Sequence, residues 1–207
     1  MTISEKERLM SLYLNNPGHH MEKSWWHNLK LEPLEKIFFS SCRLQKSINV
    51  TIKKYLGTDK YALEKEFKNE CFENNLLMPA DQLSFLIMTL GLVRINKIEL
   101  LTHKVYVNSI KRILSKQQIS QCSNFLLSLN TEKYDDIIIN VLPISENHLT
   151  ELASLLGYMS LYKKGTFFWD ILQILFPHNF QFYLEIMEDK KVEKCQNIFN
   201  NLVKLLI

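Results

Sequence analysis

Tight turns draw on glycine and proline, and this chain has only five of each in 207 residues. A β-sandwich or barrel needs a turn about every 8–12 residues, and glycine-rich phosphate cradles need glycines in close series. Neither can be built from this supply. Long elements joined by few turns can be, and the helix is the element that closes its backbone hydrogen bonds locally. Apolar residues make up 46% and charged residues 23%. That is enough to bury a core without disulfides or metals, and it excludes a disordered chain. No linker rich in Pro, Gly or Ser divides the sequence. The expectation is an all-α protein, one helical domain over 1–207, with 1–78 able to form a semi-independent subregion.

Periodicity places the helices. Ser4 and Glu7 have capping-box spacing at the head of Ser4–Leu14, which Asn15-Asn16-Pro17-Gly18 stops. Pro33 opens a helix through Ile37, Phe38, Leu44 and Ile48 towards Gly57, although β-branched Ile48, Val50, Thr51 and Ile52 weaken its second half. Tyr61–Phe72 is charged and helical in pattern, and 74–79 break it. Asp81 heads a buried helix through Leu83, Leu86, Ile87 and Leu90, with Gly91 near its end. On Lys104–Ser115, Tyr106, Val107, Ile110, Ile113 and Leu114 share one side, opposite Lys104, Asn108, Lys111 and Arg112. Ser115 and Gln118 form a second capping-box pattern before Ser115–Leu129. Tyr134–Leu142 is the one candidate strand, because Ile137, Ile138, Ile139 and Val141 are β-branched. Ser145 caps a helix carrying Leu149, Leu152, Leu156 and Met159, which Lys163-Lys164-Gly165 closes. Phe167–Phe176 is apolar almost all round and stops at Pro177. Val192–Ile207 repeats Cys195, Ile198, Phe199, Leu202, Leu205 and Leu206 at helical spacing.

The chemistry is sparse. Lys163 and Lys164 precede Gly165, whereas a P-loop needs its lysine after the last glycine. There is no G-x-S-x-G and no H-E-x-x-H. Glu132, Asp135 and Asp136 are adjacent in a polar segment, whereas acid–base work needs carboxylates facing each other across a cleft. His19, His20 and His27 lack a further nearby ligand to complete a metal sphere, so they read as a polar turn. No cofactor is implied. Cys42, Cys71, Cys122 and Cys195 are scattered, with no C-x-x-C. With Glu5, Lys6, Glu7 and Arg8 where a secretory apolar stretch would begin, reduced thiols in a cytoplasm are expected. The apolar run Leu83–Val93 is too short to span a bilayer.

Two places suit a partner. Trp25 and Trp26 are adjacent, so on a regular element they cannot point the same way. One packs inward, and the other is either covered by a loop or anchors a partner. Lys104, Lys111 and Arg112, with Lys116 beyond, form a basic face for phosphates or an acidic protein, or simply a solvated helix side. Net charge is +3, too small to mark a nucleic-acid binder.

The order of these features resembles the SctK family of type III secretion accessory proteins (YscK, PscK, OrgA, MxiK, EscK), the EscK branch most of all. The resemblance lies in Asn16-Pro17-Gly18-His19-His20, without the tyrosine the family has there. It continues in the apolar helix ending Leu90-Gly91-Leu92, followed by Ile110-Lys111-Arg112-Ile113. It closes with Trp169, Leu172, Leu175 and Pro177. The resemblance implies a non-enzymatic helical protein of the cytosolic sorting platform, required for secretion and held peripherally at the cytoplasmic face of the inner membrane. Its implied partners are the SctQ-like cytosolic ring protein and the SctD-like inner-membrane ring protein, and indirectly the SctL-like regulator and the SctN-like ATPase. From other classes, a helical nucleic-acid-binding or regulatory protein would use the Lys104–Lys116 helix. An enzyme would assemble scattered residues such as His103, His148 and Asp170.

Overall fold

A computed structural model describes residues 12–58, 76, 78–96, 99–129, 131–139, 148–162, 169, 172–179 and 189–206. Among them the fold is all-α, and no strand occurs. The chain clusters into two compact units, Met1–Ala80 with Lys163–Leu184, and Asp81–Tyr162 with Glu185–Ile207.

In the first unit the chain leaves a helical turn at Asn15, makes a short 3₁₀-helix over Pro17–His19, and continues as α1 (Lys23–Asn28), α2 (Glu32–Phe38) and α3 (Cys42–Leu56). Pro33 sits in the first turn of α2, as expected, but the helix does not run on to Gly57. It ends at Phe38, and Ser41 opens α3 by accepting a hydrogen bond from the Leu44 amide. A serine placed three residues before an unbonded amide competes with continuation of the first helix. The β-branched stretch lies inside α3, whose buried Ile48, Ile52 and Leu56 recur every fourth residue. Packing of that stripe overrides the weak propensity. Gly57 closes α3 at φ 69°, in the left-handed region that suits glycine, and its amide bonds the Lys53 and Lys54 carbonyls. Buried Asn49 accepts a 2.9 Å bond from the Gly18 amide and so fixes the turn before α1 to α3. The returning segment contributes Trp169, Leu172 and a 3₁₀-helix over Gln173–Leu175 that stops before Pro177. Ile174 joins the core of Met21, Trp25, Trp26, Phe38, Ile48, Ile52 and Leu56.

The second unit comprises α4 (Ala80–Ile95), α5 (Glu99–Thr102), α6 (Lys104–Ile110), α7 (Lys116–Ser128), a 3₁₀-helix over Thr131–Ile137, α8 (Leu149–Leu161) and α9 (Asp189–Leu206). α4 is buried at every position from Phe85 to Ile95 and extends a full turn past Gly91. Gly91 is therefore not a terminator. A Cβ there would lie 1.7 Å from the Ala153 carbonyl oxygen, and one on Gly157 would lie 1.8 Å from the Ile87 carbonyl oxygen. α4 and α8 cross backbone to backbone, and the two glycines exist to allow it. α8 also packs against α6 and α9. The serine capping box of α7 is present in both directions, with Ser115 and Gln118 exchanging bonds of 2.9 and 3.2 Å.

The expected strand is replaced by the 3₁₀-helix, followed by irregular backbone at Ile138 and Ile139. Its would-be pairing groups are used elsewhere: the Ile139 amide donates to the Arg94 carbonyl at 2.8 Å, while Ile137 turns inward. α9 buries Cys195, Ile198, Phe199 and Leu202, but Leu205 points outward and is 66% exposed. The expected helix start over residues 4–11 and the readings of Tyr61–Phe72, Ser145 and Lys163–Gly165 fall outside the described residues. Among the described residues no helix is long and apolar enough to cross a membrane.

Candidate interaction surfaces

α1 places Trp25 and Trp26 on different sides, and both are buried, at 0% and 3% exposure. Trp25 donates its indole N–H to the Phe176 carbonyl at 2.8 Å and meets the rings of His178 and Tyr55 edge-on. Trp26 meets Phe38 edge-on at 5.2 Å. Ser24 reinforces this attachment by accepting the His178 amide. Of the two alternatives for the second indole, cover is the one observed: the segment returning to this unit covers the first ring, and α2 covers the second. Among the described residues this unit presents Ile37 and Phe39 side by side, 50% and 60% exposed at the end of α2, with His19 edge-on to Phe39, while Leu12, Val50 and Tyr55 are exposed elsewhere on it.

The basic face is exposed as expected, but on a shorter helix. α6 stops at Ile110, and Lys111, Arg112 and Ile113 form a turn before Ser115 begins the next cap. Ile110 and Leu114 are buried, Tyr106 and Val107 are half-buried, and Lys104, Asn108, Lys111, Arg112 and Lys116 are exposed. Ile113 departs from the expected apolar side: the turn rotates it outward to 60% exposure. Val105 joins it at 42%. Lys104, Lys111, Arg112 and Lys116 make no ion pair among the described residues.

Elsewhere the polar groups hold structure. Arg94 is buried at the end of α4, donating Nε–H to the Ile137 carbonyl at 3.2 Å and Nη1–H to the Leu156 carbonyl and the Ser160 hydroxyl at 3.3 and 3.0 Å. Burial lowers its pKa, and nearby Cys195 opposes that shift. Asp136 accepts two hydrogen bonds from Lys194, at 2.7 and 2.8 Å, which tie the 3₁₀-helix to α9 and lower the carboxyl pKa. Glu132 lies at a position whose side chain is outside the description. His27 pairs with Glu32, His20 stacks at a tilt on Tyr13, and His19 lies against Phe38. Among the described residues no three His, Cys, Asp or Glu side chains gather to hold a metal ion. His103 and His148 are exposed on separate helix starts. Cys122 and Cys195 are buried free thiols, and burial pushes Cys122 to about 11. Cys42 is an exposed free thiol at the first position of α3. Cys71 and Asp170 lie outside the described residues.

Comparison with known proteins decides the family. A family model described as a type III secretion system subunit matches residues 8–177. The chain belongs to that family. No curated protein and no solved structure matches it. The matched stretch of this secretion subunit runs from before α1 to the end of the Gln173–Leu175 segment and includes the α4–α8 crossing and the whole basic face. Sequence reading missed Ile37, Phe39 and Val105 as exposed apolar residues. Their signal is faint, since a lone apolar residue on a helix does not reveal which way it points. Arg94 was missed as well, although an arginine inside an otherwise apolar helix is a visible sign of a buried hydrogen-bonding role.

Proposed function

We propose that this secretion subunit is a non-enzymatic linker of SctK type. It joins the SctQ-like cytosolic ring protein to the SctD-like inner-membrane ring protein in the sorting platform, and through that platform it serves the SctL-like regulator and the SctN-like ATPase. The observation that carries this reading is the family match over 8–177. Further support comes from how the polar residues are used: Arg94, Asp136, Lys194 and Glu32 are engaged within the fold. A linker needs two surfaces that can be occupied together. We assign one to the exposed Ile37 and Phe39 of the first unit and the other to the Lys104–Lys116 face of the second, with Trp25 and Trp26 shaping the first from beneath.

The test is affinity isolation of the tagged full-length chain from its native cell during secretion, with a matched gene deletion. Both ring proteins are expected among the co-purifying proteins, and the deletion is expected to abolish secretion. Isolation of neither ring protein, together with intact secretion in the deletion, would overturn the assignment.

A further inference from the structure

From Leu100 to Thr131 the chain carries no aspartate or glutamate, yet it carries Lys104, Lys111, Arg112 and Lys116. The fold directs all four outward. Residues seven apart lie almost in line on a helix, about 10 Å apart along its axis. Lys104 opens α6 and Lys111 caps it with helical dihedrals, so the two are related in this way, and exposed Val105 follows Lys104 as Arg112 follows Lys111 into the turn. The turn then adds Ile113, the most exposed apolar residue of this segment before α7. The face therefore sets cations that make no ion pair among the described residues beside exposed aliphatic side chains. Cations alone are well served by water. Aliphatic groups left in water gain from being covered, a basic occupant would bring like charges together, and an acidic one both covers them and pairs the cations beside them, which a neutral one does not.

We propose that this face binds an acidic segment of a partner protein whose carboxylates lie about 10 Å apart and flank an aliphatic side chain. The carboxylates meet Lys104 at one end and Lys111 or Arg112 at the other, and the aliphatic group covers Val105 and Ile113. The inference rests on the linker reading only in taking that partner to be part of the secretion apparatus. A single-stranded nucleic acid fits less well, since it calls for exposed rings on which bases stack. Tyr106 is half-buried here, and Phe125 is buried.

The experiment places a photoreactive phenylalanine analogue at position 113 of the full-length chain, and at exposed Val50 as a control, in secreting cells; the cross-linked peptide is then sequenced. Position 113 should capture a protein segment with at least two acidic residues and an aliphatic one between them. Lys111→Glu/Arg112→Glu should lower the yield at least about tenfold, and so should Lys104→Glu/Lys116→Glu, each with an unchanged circular dichroism spectrum. Replacing the captured acids by lysine should restore the yield against the reversed face. Capture of a non-acidic segment or of nucleic acid, a yield indifferent to both double variants, or no cross-link above the position-50 control would overturn the proposal. If the tagged chain still isolates the ring proteins in that case, the linker reading survives alone. Capture of an acidic segment from outside the apparatus would instead uphold this inference and count against the linker.

Discussion

Gly157→Ala is the sharpest test of the helix crossing in the second unit. The new methyl would lie 1.8 Å from the Ile87 carbonyl oxygen, where side-chain carbons essentially never come within 3.0 Å, so α4 and α8 must part by at least about 1.2 Å. The obstruction is backbone on a helix buried from Phe85 to Ile95, so no flexible side chain can swing aside. Overpacking of this kind costs roughly 1–3 kcal/mol, or more when backbone must move. Against it stands the gain of about 1 kcal/mol that alanine brings to a helix interior. We expect a net loss of about 2 kcal/mol. For a chain of this length that is a fall in melting temperature of roughly 4–8 °C, followed by far-ultraviolet circular dichroism on heating. Gly91→Ala should behave alike, since its methyl meets the Ala153 carbonyl at 1.7 Å. Gly57→Ala is the internal comparison: it meets nothing within 4 Å and is strained only by its positive φ, a cost of about 1 kcal/mol. A Gly157→Ala protein as stable as wild type, or more stable, would refute the close crossing.

Arg94→Met keeps the length of the side chain but strips donors from the Ile137 and Leu156 carbonyls and from Ser160. A loss of about 3 kcal/mol in urea denaturation is expected, with faster amide hydrogen exchange over 137–139. Trp25→Phe leaves the Phe176 carbonyl without its indole donor and should cost roughly 1–3 kcal/mol, read as lower stability with no loss of partner binding by the folded protein. The His20 pKa is lowered by burial and then by neighbouring His19, and the His178 pKa by burial, from an ordinary 6.5. The folded state thus favours both neutral rings, so their contribution is full above about pH 6.5 and fades as the pH falls below it. The melting temperature should drop between pH 7.5 and 5.5, and His20→Gln/His178→Gln should flatten that slope.

What the sequence revealed was whatever depends on neighbours within a few residues. The stop at Asn16-Pro17, the first-turn proline of α2 and the Ser115–Gln118 capping box are local hydrogen-bond and dihedral choices, and all three stand. What it concealed depends on residues far along the chain. Ile137–Ile139 has strand composition, but Arg94, more than forty residues earlier, takes the backbone groups a strand would offer. Gly91 resembled a helix end because its partner, Ala153, is visible only in three dimensions. For the tryptophan pair an inward ring was legible, but the choice between cover and anchor for the other was not, because the cover over Trp25 comes from Phe176 and His178. The basic face was legible almost entirely, since surface charge needs no partner to be placed. Only the outward turn of Ile113 depended on α6 ending early.

The central claim is that this secretion subunit holds two ring proteins at once. The direct measurement mixes the purified chain with the SctQ-like protein and the cytoplasmic domain of the SctD-like protein and determines the mass of the complex by light scattering during size-exclusion chromatography. A linker predicts a single ternary species that disappears when the chain is omitted. Two mutually exclusive binary complexes, or an unchanged mixture of free components, would contradict it.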